Sequence, residues 1–164
     1  MYLTQGLHRA VQQDPDRPMT IYGDRVRTAR ESRDRISRLA AGLRSLGVKP
    51  GDRVGIFSMN SDRYHEYLLA VPWLGAVVTP VNIRWSPAEV AYSLQESDTR
   101  VLLVDDDFFG ALPAIRSVSN QMRREVLGWA WLVSGDRASG SLMVAFSGSR
   151  GGRGRRVNRS GCLA

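Results

Sequence analysis

Three consecutive acidic residues are the first candidates for chemistry in this sequence. Asp105, Asp106 and Asp107 directly follow the apolar run RVLLV at 100–104. Ligands of open α/β sheets collect beyond the carboxyl ends of strands, and three carboxylates could hold a hard cation there. The alternative is a solvent-exposed turn between a strand and a helix, in which one aspartate caps the helix. We favour the turn and assign no metal ligand.

The two histidines and the single cysteine offer no second site. His8 and His65 each stand alone on a predicted helix, without a cysteine or another histidine at ligand spacing, so a structural or surface role is favoured over catalysis. Cys162 excludes an intrachain disulfide framework and a cysteine metal cluster. The sequence contains no GxSxG, HExxH or GxxxxGK[ST] motif. From these residues we assign no catalytic, cofactor-binding or metal-ligating residue.

The segment 46–60, LGVKPGDRVGIFSMN, organises the predicted fold. Gly47 is suited to the left-handed conformation that ends a helix, and Pro50 and Gly51 suit the centre of a type II turn. A short apolar run follows, as in a strand that is covered on both faces; it contains Val54, Ile56 and Phe57. We expect Asn60 to cap the next helix.

The flanking sequence repeats this order of helix, turn and strand. Ser86, Pro87 and Glu89 form a capping-box signature at the start of one helix. The predicted elements are a helix at 4–13 capped by Thr4, a hairpin at 19–28 turning at Gly23 and Asp24, helices at 30–46, 61–74 and 86–97, strands at 54–57, 75–79 and 100–104, and a loop at 80–85. Strands separated by helices predict a three-layer α/β fold, with a mainly parallel sheet between helices.

Basic residues are concentrated in two places. On the helix at 30–46, four arginines lie mostly off the apolar side and could form a face for nucleic acid or lipid; they are Arg33, Arg35, Arg38 and Arg44. We favour a solvated helix face. The net charge of +7 comes mainly from residues 117–164, which hold eight arginines and two acids, whereas 1–116 carry a net charge of +1.

The run from 28 to 107 resembles the start of the adenylate-forming (AMP-binding) enzymes, and among them the medium- and long-chain fatty-acid–CoA ligases. The resemblance rests on LGVKPGDRV and the downstream GAVVTPVNIRWSPAEVAYSL at this spacing, and it covers about 3–116. It implies an enzyme that joins a fatty acid to ATP as an acyl-adenylate and passes the acyl group to CoA, with Mg²⁺. It also implies that this part of the chain is the N-terminal α/β subdomain.

The motifs that the resemblance assigns to catalysis are not found. The family has a Ser/Thr/Gly-rich phosphate loop ending in Pro-Lys-Gly, a Tyr-Gly-x-Thr-Glu segment and a lysine in a mobile C-terminal domain. Lys49, the only lysine, lies in a turn and matches neither family lysine. The Gly-rich segment 146–152 could expose amides to an anion, but a flexible segment is the favoured interpretation. We therefore expect a truncated ligase that is inactive alone and binds none of these cofactors.

The composition divides the chain into three segments: an α/β subdomain at 1–116, an irregular and partly helical region at 117–133, and a disordered Gly/Ser/Arg-rich tail at 134–164. One account of the tail is translation in a shifted reading frame. The other is a non-catalytic binding protein whose RGG-like tail binds RNA or anionic surfaces, and we favour the first. Self-association through exposed apolar surface is a third hypothesis. The absence of a secretory signal or membrane span predicts a cytoplasmic location.

Overall fold

A computed structural model describes residues 3–118 and 125–128. In chain order the elements are α1 (Gln5–Gln13), β1 (Pro18–Tyr22), β2 (Arg25–Thr28), α2 (Ala29–Ser45), β3 (Arg53–Phe57), α3 (Asp62–Trp73), β4 (Val77–Pro80), α4 (Pro87–Glu96), β5 (Thr99–Val104), a 3₁₀ helix (Asp106–Ala111), α5 (Leu112–Val118) and β6 (Glu125–Gly128). The predicted α/β class is confirmed. None of the helices in the described ranges has the length and apolar character needed to cross a lipid bilayer.

A parallel sheet with the strand order β4-β3-β5-β6 forms the central layer. The chain moves from β3 outward to β4 through α3, and then returns across β3 to β5 through α4. Because both crossovers are expected to be right-handed and run in opposite directions, α3 and α4 lie on opposite faces of the sheet. The predicted three-layer arrangement is therefore confirmed.

Each face of the sheet has its own apolar core. On the α1–α3 side, strand residues Val54, Ile56, Val101 and Leu103 pack with the helices; on the α4–α5 side, Phe57, Leu102 and Val104 do so. Alternate residues of one strand point to opposite faces, so β3 and β5 are apolar on both sides. This explains why their sequences are continuous apolar runs rather than alternating patterns.

The turn that leads into β3 has the predicted geometry. Gly47 and Gly51 have φ values of +83° and +84°, and the Asp52 amide donates a 3.0 Å hydrogen bond to the Lys49 carbonyl. These features confirm the end of the helix and the type II turn. The hairpin is also confirmed, with Tyr22 opposite Arg25 across the Gly23-Asp24 turn.

Two predicted helix caps are wrong. Ser61, and not Asn60, caps α3, because its side chain accepts a hydrogen bond from the Tyr64 amide while its backbone is extended. Thr4 precedes α1 but has helical backbone angles and makes no side-chain cap bond. The capping box at Ser86 is confirmed, and a second one at Thr28 and Glu31 was not anticipated.

Within the region 117–133, which was expected to be irregular and partly helical, Ser117 and Val118 lie at the end of α5, whereas residues 125–128 are not helical. Residues Glu125–Gly128 form β6, which pairs in parallel with β5 from Val101 to Val104. Without β6, one long edge of β5 would leave its backbone groups unpaired, and pairing outweighs the weak helical pattern of this short segment. The remaining residues of 119–133 lie outside the described part.

A tyrosine and a proline determine how β4 joins the sheet. The Tyr67 hydroxyl donates to the Val54 carbonyl at 2.6 Å and accepts from the Thr79 amide at 2.8 Å. The amides of Val77 and Val81 donate directly to the backbone carbonyls of Asp52 and Ile56. The backbone amides of the odd-numbered residues of β4 therefore point toward β3, and the backbone nitrogen of Pro80 lies on the outer edge of the sheet.

Candidate functional site

A chain of five charged side chains joins the hairpin to α2 and α3. The carboxylates of Asp62 and Glu66 are its acidic members, and both are almost fully buried, with side-chain exposures of 1% and 3%. The basic members are Arg25, Arg27 and Arg35. We call these five residues the charged clamp.

Secondary structure brings the members of the clamp together. Arg25 and Arg27 are two residues apart on β2 and so point to the same side of the hairpin. Asp62 and Glu66 are four residues apart on α3 and share one face of that helix. Arg35 reaches them from the middle of α2.

Every carboxylate oxygen of the clamp contacts a guanidinium group. Asp62 accepts from Arg25 at 2.7 Å and from Arg27 at 3.0 Å, one on each oxygen. Arg35 binds both oxygens of Glu66, the Oε2 at 3.1 Å, and Arg27 Nε lies 3.6 Å from Glu66 Oε1. The clamp thus leaves neither acid free to accept a proton from a substrate or to ligate a metal.

Electrostatics keep Asp62 ionised in spite of its burial. Burial alone would raise the pKa of this carboxyl, but the hydrogen bond from Arg27 and the charges of Arg25 and Arg27 act in the opposite direction. The net effect is a pKa below the usual value of 3.8. The arrangement fits a structural role, which is to hold the hairpin on the helical layer.

The clamp was not predicted from the sequence, and the predicted environment of one of its arginines was wrong. Arg35 was expected on a solvated face, but it is only 17% exposed and is bound to Glu66. The expectation holds better for Arg33, which pairs with its neighbour Asp34, and for the exposed Arg38 and Arg44. The available signal was the pattern of arginines two apart on β2 and acids four apart on α3.

The three consecutive aspartates have separate roles. Asp105 lies just after β5; its side chain accepts from the Asp106 amide at 2.9 Å, capping the 3₁₀ helix, and from the Ser58 hydroxyl at 3.0 Å. Asp106 and Asp107 are exposed. The favoured turn with one capping aspartate is confirmed. In the part of the chain that the structure describes, no three His, Cys, Asp or Glu side chains are grouped so as to hold a metal ion.

The other sequence candidates lie apart from one another. The ring of exposed His8 packs against Trp73, with centroids 4.7 Å apart, and His65 lies on α3 with a buried Nδ1. Lys49 is exposed in the turn before β3, where its amide donates to Asp52. The Gly-rich segment 146–152, Cys162 and the tail 134–164 lie outside the described residues.

Comparison with known proteins identifies the family. The family model of the AMP-binding enzyme matches residues 7–151. This chain belongs to the AMP-binding enzyme family. The match continues beyond residue 116, where the resemblance was expected to end, and the predicted adenylate-forming relationship is confirmed.

Relatives of this AMP-binding chain include CoA ligases. It is 44% identical over 108 residues to the chloroplastic/peroxisomal 2-succinylbenzoate–CoA ligase of Arabidopsis thaliana, covering 65% of this chain and 19% of the relative. It is 44% identical over 89 residues to the long-chain-fatty-acid–CoA ligase of Thermus thermophilus, covering 54% and 16%. This AMP-binding chain therefore spans less than a fifth of either relative.

A solved structure shows where this fold occurs within the family. The N-terminal subdomain of NpsA from Klebsiella oxytoca, solved in complex with 3-hydroxybenzoyl-AMSN, is 28% identical and superposes with a TM-score of 0.67. The superposition covers 88% of this AMP-binding chain and 35% of the NpsA chain. The described fold thus corresponds to part of the N-terminal subdomain of an adenylate-forming enzyme.

Proposed function

We propose that this chain supplies part of the N-terminal subdomain of an ATP-dependent fatty-acid–CoA ligase. In the proposed reaction the carboxylate displaces pyrophosphate from ATP to give an acyl-adenylate, and the CoA thiol then displaces AMP. The observation that carries the proposal is the AMP-binding family match over residues 7–151. The proposed substrate is a medium- or long-chain fatty acid, the class for which the Thermus relative is named; the Arabidopsis relative of equal identity is named for 2-succinylbenzoate.

The described residues would act as a scaffold in this reaction. The charged clamp has no free carboxylate oxygen, and Asp105 is engaged by Ser58 and the Asp106 amide. We propose that ATP, Mg²⁺ and CoA bind to the complete enzyme through parts of the family sequence that this chain does not contain. The sheet and its two cores would fix the position of those parts.

The first experiment tests whether the 164-residue chain is inactive alone. We expect no pyrophosphate release from ATP and Mg²⁺ on addition of fatty acids of different lengths. The physical reason is that Lys49, the only lysine, lies in an exposed turn and cannot supply the cation of the phosphate loop. Acyl-dependent release above a heat-treated sample would show that the chain carries its own active site.

The second experiment tests the scaffold role directly. The stretch of the Thermus ligase that aligns with this chain is replaced by the matching residues of this chain, and acyl-CoA formation is measured. We expect activity within about tenfold of the parent, a change of about 1.4 kcal/mol in activation free energy. A parent enzyme without the stretch is the negative control. A folded chimera as inactive as this control would contradict the proposal.

The cytoplasmic location stays a prediction, since one relative is named chloroplastic/peroxisomal. RNA binding and self-association also stay predictions, and the comparisons give no support to RNA binding. We do not propose either as a second function.

A further inference from the structure

A mainly apolar groove runs along the outer side of α4, away from the charged clamp. It has a volume of about 530 Å³ and is lined by Trp85, Glu89, Tyr92, Ser93, Glu96 and Ser97. Trp85 and Tyr92 are 37% and 66% exposed as whole residues. We call this feature the α4 groove.

The α4 groove carries negative charge beside its aromatic rings. Glu89, Tyr92 and Glu96 follow one another at three- and four-residue spacing, so they lie on one face of the helix. Glu89 uses its Oε2 to cap the helix at Ser86, and these hydrogen bonds lower its pKa. The Glu96 carboxylate is exposed. The lining residues include two acids and no lysine or arginine.

Aromatic faces beside carboxylates are suited to guanidinium groups. Arginine stacks on tyrosine and tryptophan rings through cation–π attraction, and its planar fork pairs with a carboxylate. The groove can therefore accept an extended segment with several arginines. A nucleic acid would be repelled by the two carboxylates, so phosphate chemistry is excluded for this surface.

The chain itself contains a segment of this chemistry. Residues 152–164, GRGRRVNRSGCLA, lie beyond the family match and hold four arginines and no acidic residue. The distance along the chain is no obstacle, because the 25 residues from Gly128 to Arg153 can span up to about 80 Å when extended. Charge complementarity therefore connects the groove and the segment.

We propose that the arginine segment 153–159 docks in the α4 groove of the same molecule. Arginine side chains stack on Tyr92 and Trp85 and pair with Glu96 and with the outer oxygen of Glu89. Docking would occupy the basic residues on which RNA binding was predicted to depend. The docking rests on the aromatic rings and charges of these residues and is independent of the proposed ligase reaction.

Limited trypsin digestion of the full chain tests the docking. The rate of cleavage after Arg153, Arg155, Arg156 and Arg159 is followed by the mass of the released fragments. The test variants are E96Q and the double variant Y92S/E96Q, which leave the helix cap at Glu89 intact. D106N removes an exposed carboxylate from another part of the surface and is the matched control.

We expect cleavage at these sites to be at least about threefold faster in Y92S/E96Q than in the wild type, because the double variant lacks one cation–π contact and one ion pair to the segment. E96Q should lie between the two, and D106N should match the wild type. At 1 M NaCl, where the Debye length is about 3 Å, the wild-type rate should approach that of the double variant. Circular dichroism verifies that each variant is folded.

Two results would overturn the proposal. Equal cleavage rates for the wild type and both groove variants at low salt would show that the segment is not held in the groove. Protection that increases with protein concentration would place the segment in the groove of a second copy, which contradicts docking within one molecule.

Discussion

Tyr67 places its hydroxyl oxygen between β3 and β4, within hydrogen-bond distance of a backbone group on each strand. The side chain is fully buried, and burial raises the pKa of the phenol far above its usual value. The hydroxyl therefore stays protonated, so that it can donate to Val54 while it accepts from Thr79. A side chain of α3 thus completes the hydrogen bonding of the sheet.

Replacement of Tyr67 by phenylalanine should destabilise the protein by about 1–3 kcal/mol. The change leaves the Val54 carbonyl and the Thr79 amide without this partner in a buried setting. Urea unfolding followed by circular dichroism measures the free energy. Y64F is the control, since Tyr64 is half-buried on the same helix and should change stability by less than about 0.5 kcal/mol. Equal effects of the two changes would contradict the bridging role.

Asp62 is predicted to make stability depend on pH on the acid side. Because its folded-state pKa lies below 3.8, its contribution to the free energy of unfolding is fully present above that value and is lost as pH falls through the folded pKa. D62N should lower stability by about 1–3 kcal/mol at pH 7, because it removes the buried carboxylate charge that pairs with Arg25 and with the partly exposed Arg27.

Urea unfolding of the wild type and of D62N from pH 7 to pH 2 measures this dependence. The stability difference between the two proteins should shrink below about pH 4. D34N alters a carboxylate that is 45% exposed and paired with Arg33, and a surface pair of this kind contributes about 0–1 kcal/mol. A difference for D62N that is constant down to pH 2 would exclude the predicted linkage.

At the scale of elements, side-chain caps define where helices begin. In α2 and α4 the capping residue accepts from the third amide of the helix, and a glutamate at that position binds back to the cap. Pro87 in addition fixes the first φ angle of α4. These local bonds explain why the start of α4 follows directly from its sequence.

The change S86A should lower the stability of the protein by about 1 kcal/mol and increase amide exchange in the first turn of α4. In the wild type the Ser86 hydroxyl accepts a hydrogen bond from the Glu89 amide in the first turn of α4, and the Glu89 carboxylate accepts one from the Ser86 amide. Hydrogen exchange followed by mass spectrometry measures the local effect. The control is S45A at the exposed C-terminal turn of α2, and exchange in α4 that is no faster in S86A than in S45A would contradict the prediction.

Elements that depend on neighbouring residues were predictable from the sequence, and those that depend on distant ones were not. Apolar runs and turn residues placed β3, the Gly47 helix end and the Gly51 turn correctly. β6 was missed because a four-residue strand is specified by its pairing with β5 rather than by its own pattern. The clamp was missed for the same reason, since Arg25 and Asp62 are 37 residues apart.

At the scale of the whole molecule, one glycine makes room for side chains of the neighbouring strand in the core that α4 covers. A Cβ atom on Gly55 would lie 2.9 Å from Leu102 Cδ1, 3.1 Å from Thr99 Cγ2 and 3.5 Å from Leu94 Cδ2. Real carbon contacts are longer than the first of these distances. The absence of a side chain at Gly55 therefore leaves room for the Leu102 and Thr99 side chains of the neighbouring strand β5, whereas Leu94 of α4 lies at an ordinary contact distance.

The substitution G55A should destabilise the protein by about 1–3 kcal/mol, because the neighbouring side chains must move in a packed core. G6A is a matched control, since a Cβ atom on Gly6 meets nothing within 4 Å and the residue lies in α1. Alanine favours a helix over glycine, so G6A should stabilise by about 0.5 kcal/mol. Thermal unfolding measures both changes, and a G55A protein as stable as the wild type would contradict the packing argument.

Pro80 affects how readily another strand can add to the β4 edge of this sheet. The backbone nitrogens of β4 on the outer edge are those of Val78 and Pro80. Because proline has no amide hydrogen, the Val78 amide is the one hydrogen-bond donor that β4 offers at this edge. A foreign strand needs a ladder of donors and acceptors to attach, so addition at β4 is disfavoured and edge-to-edge aggregation is resisted there. Among the described strands, β6 forms the other edge of this sheet, and that edge is the favoured side for the addition of a further strand.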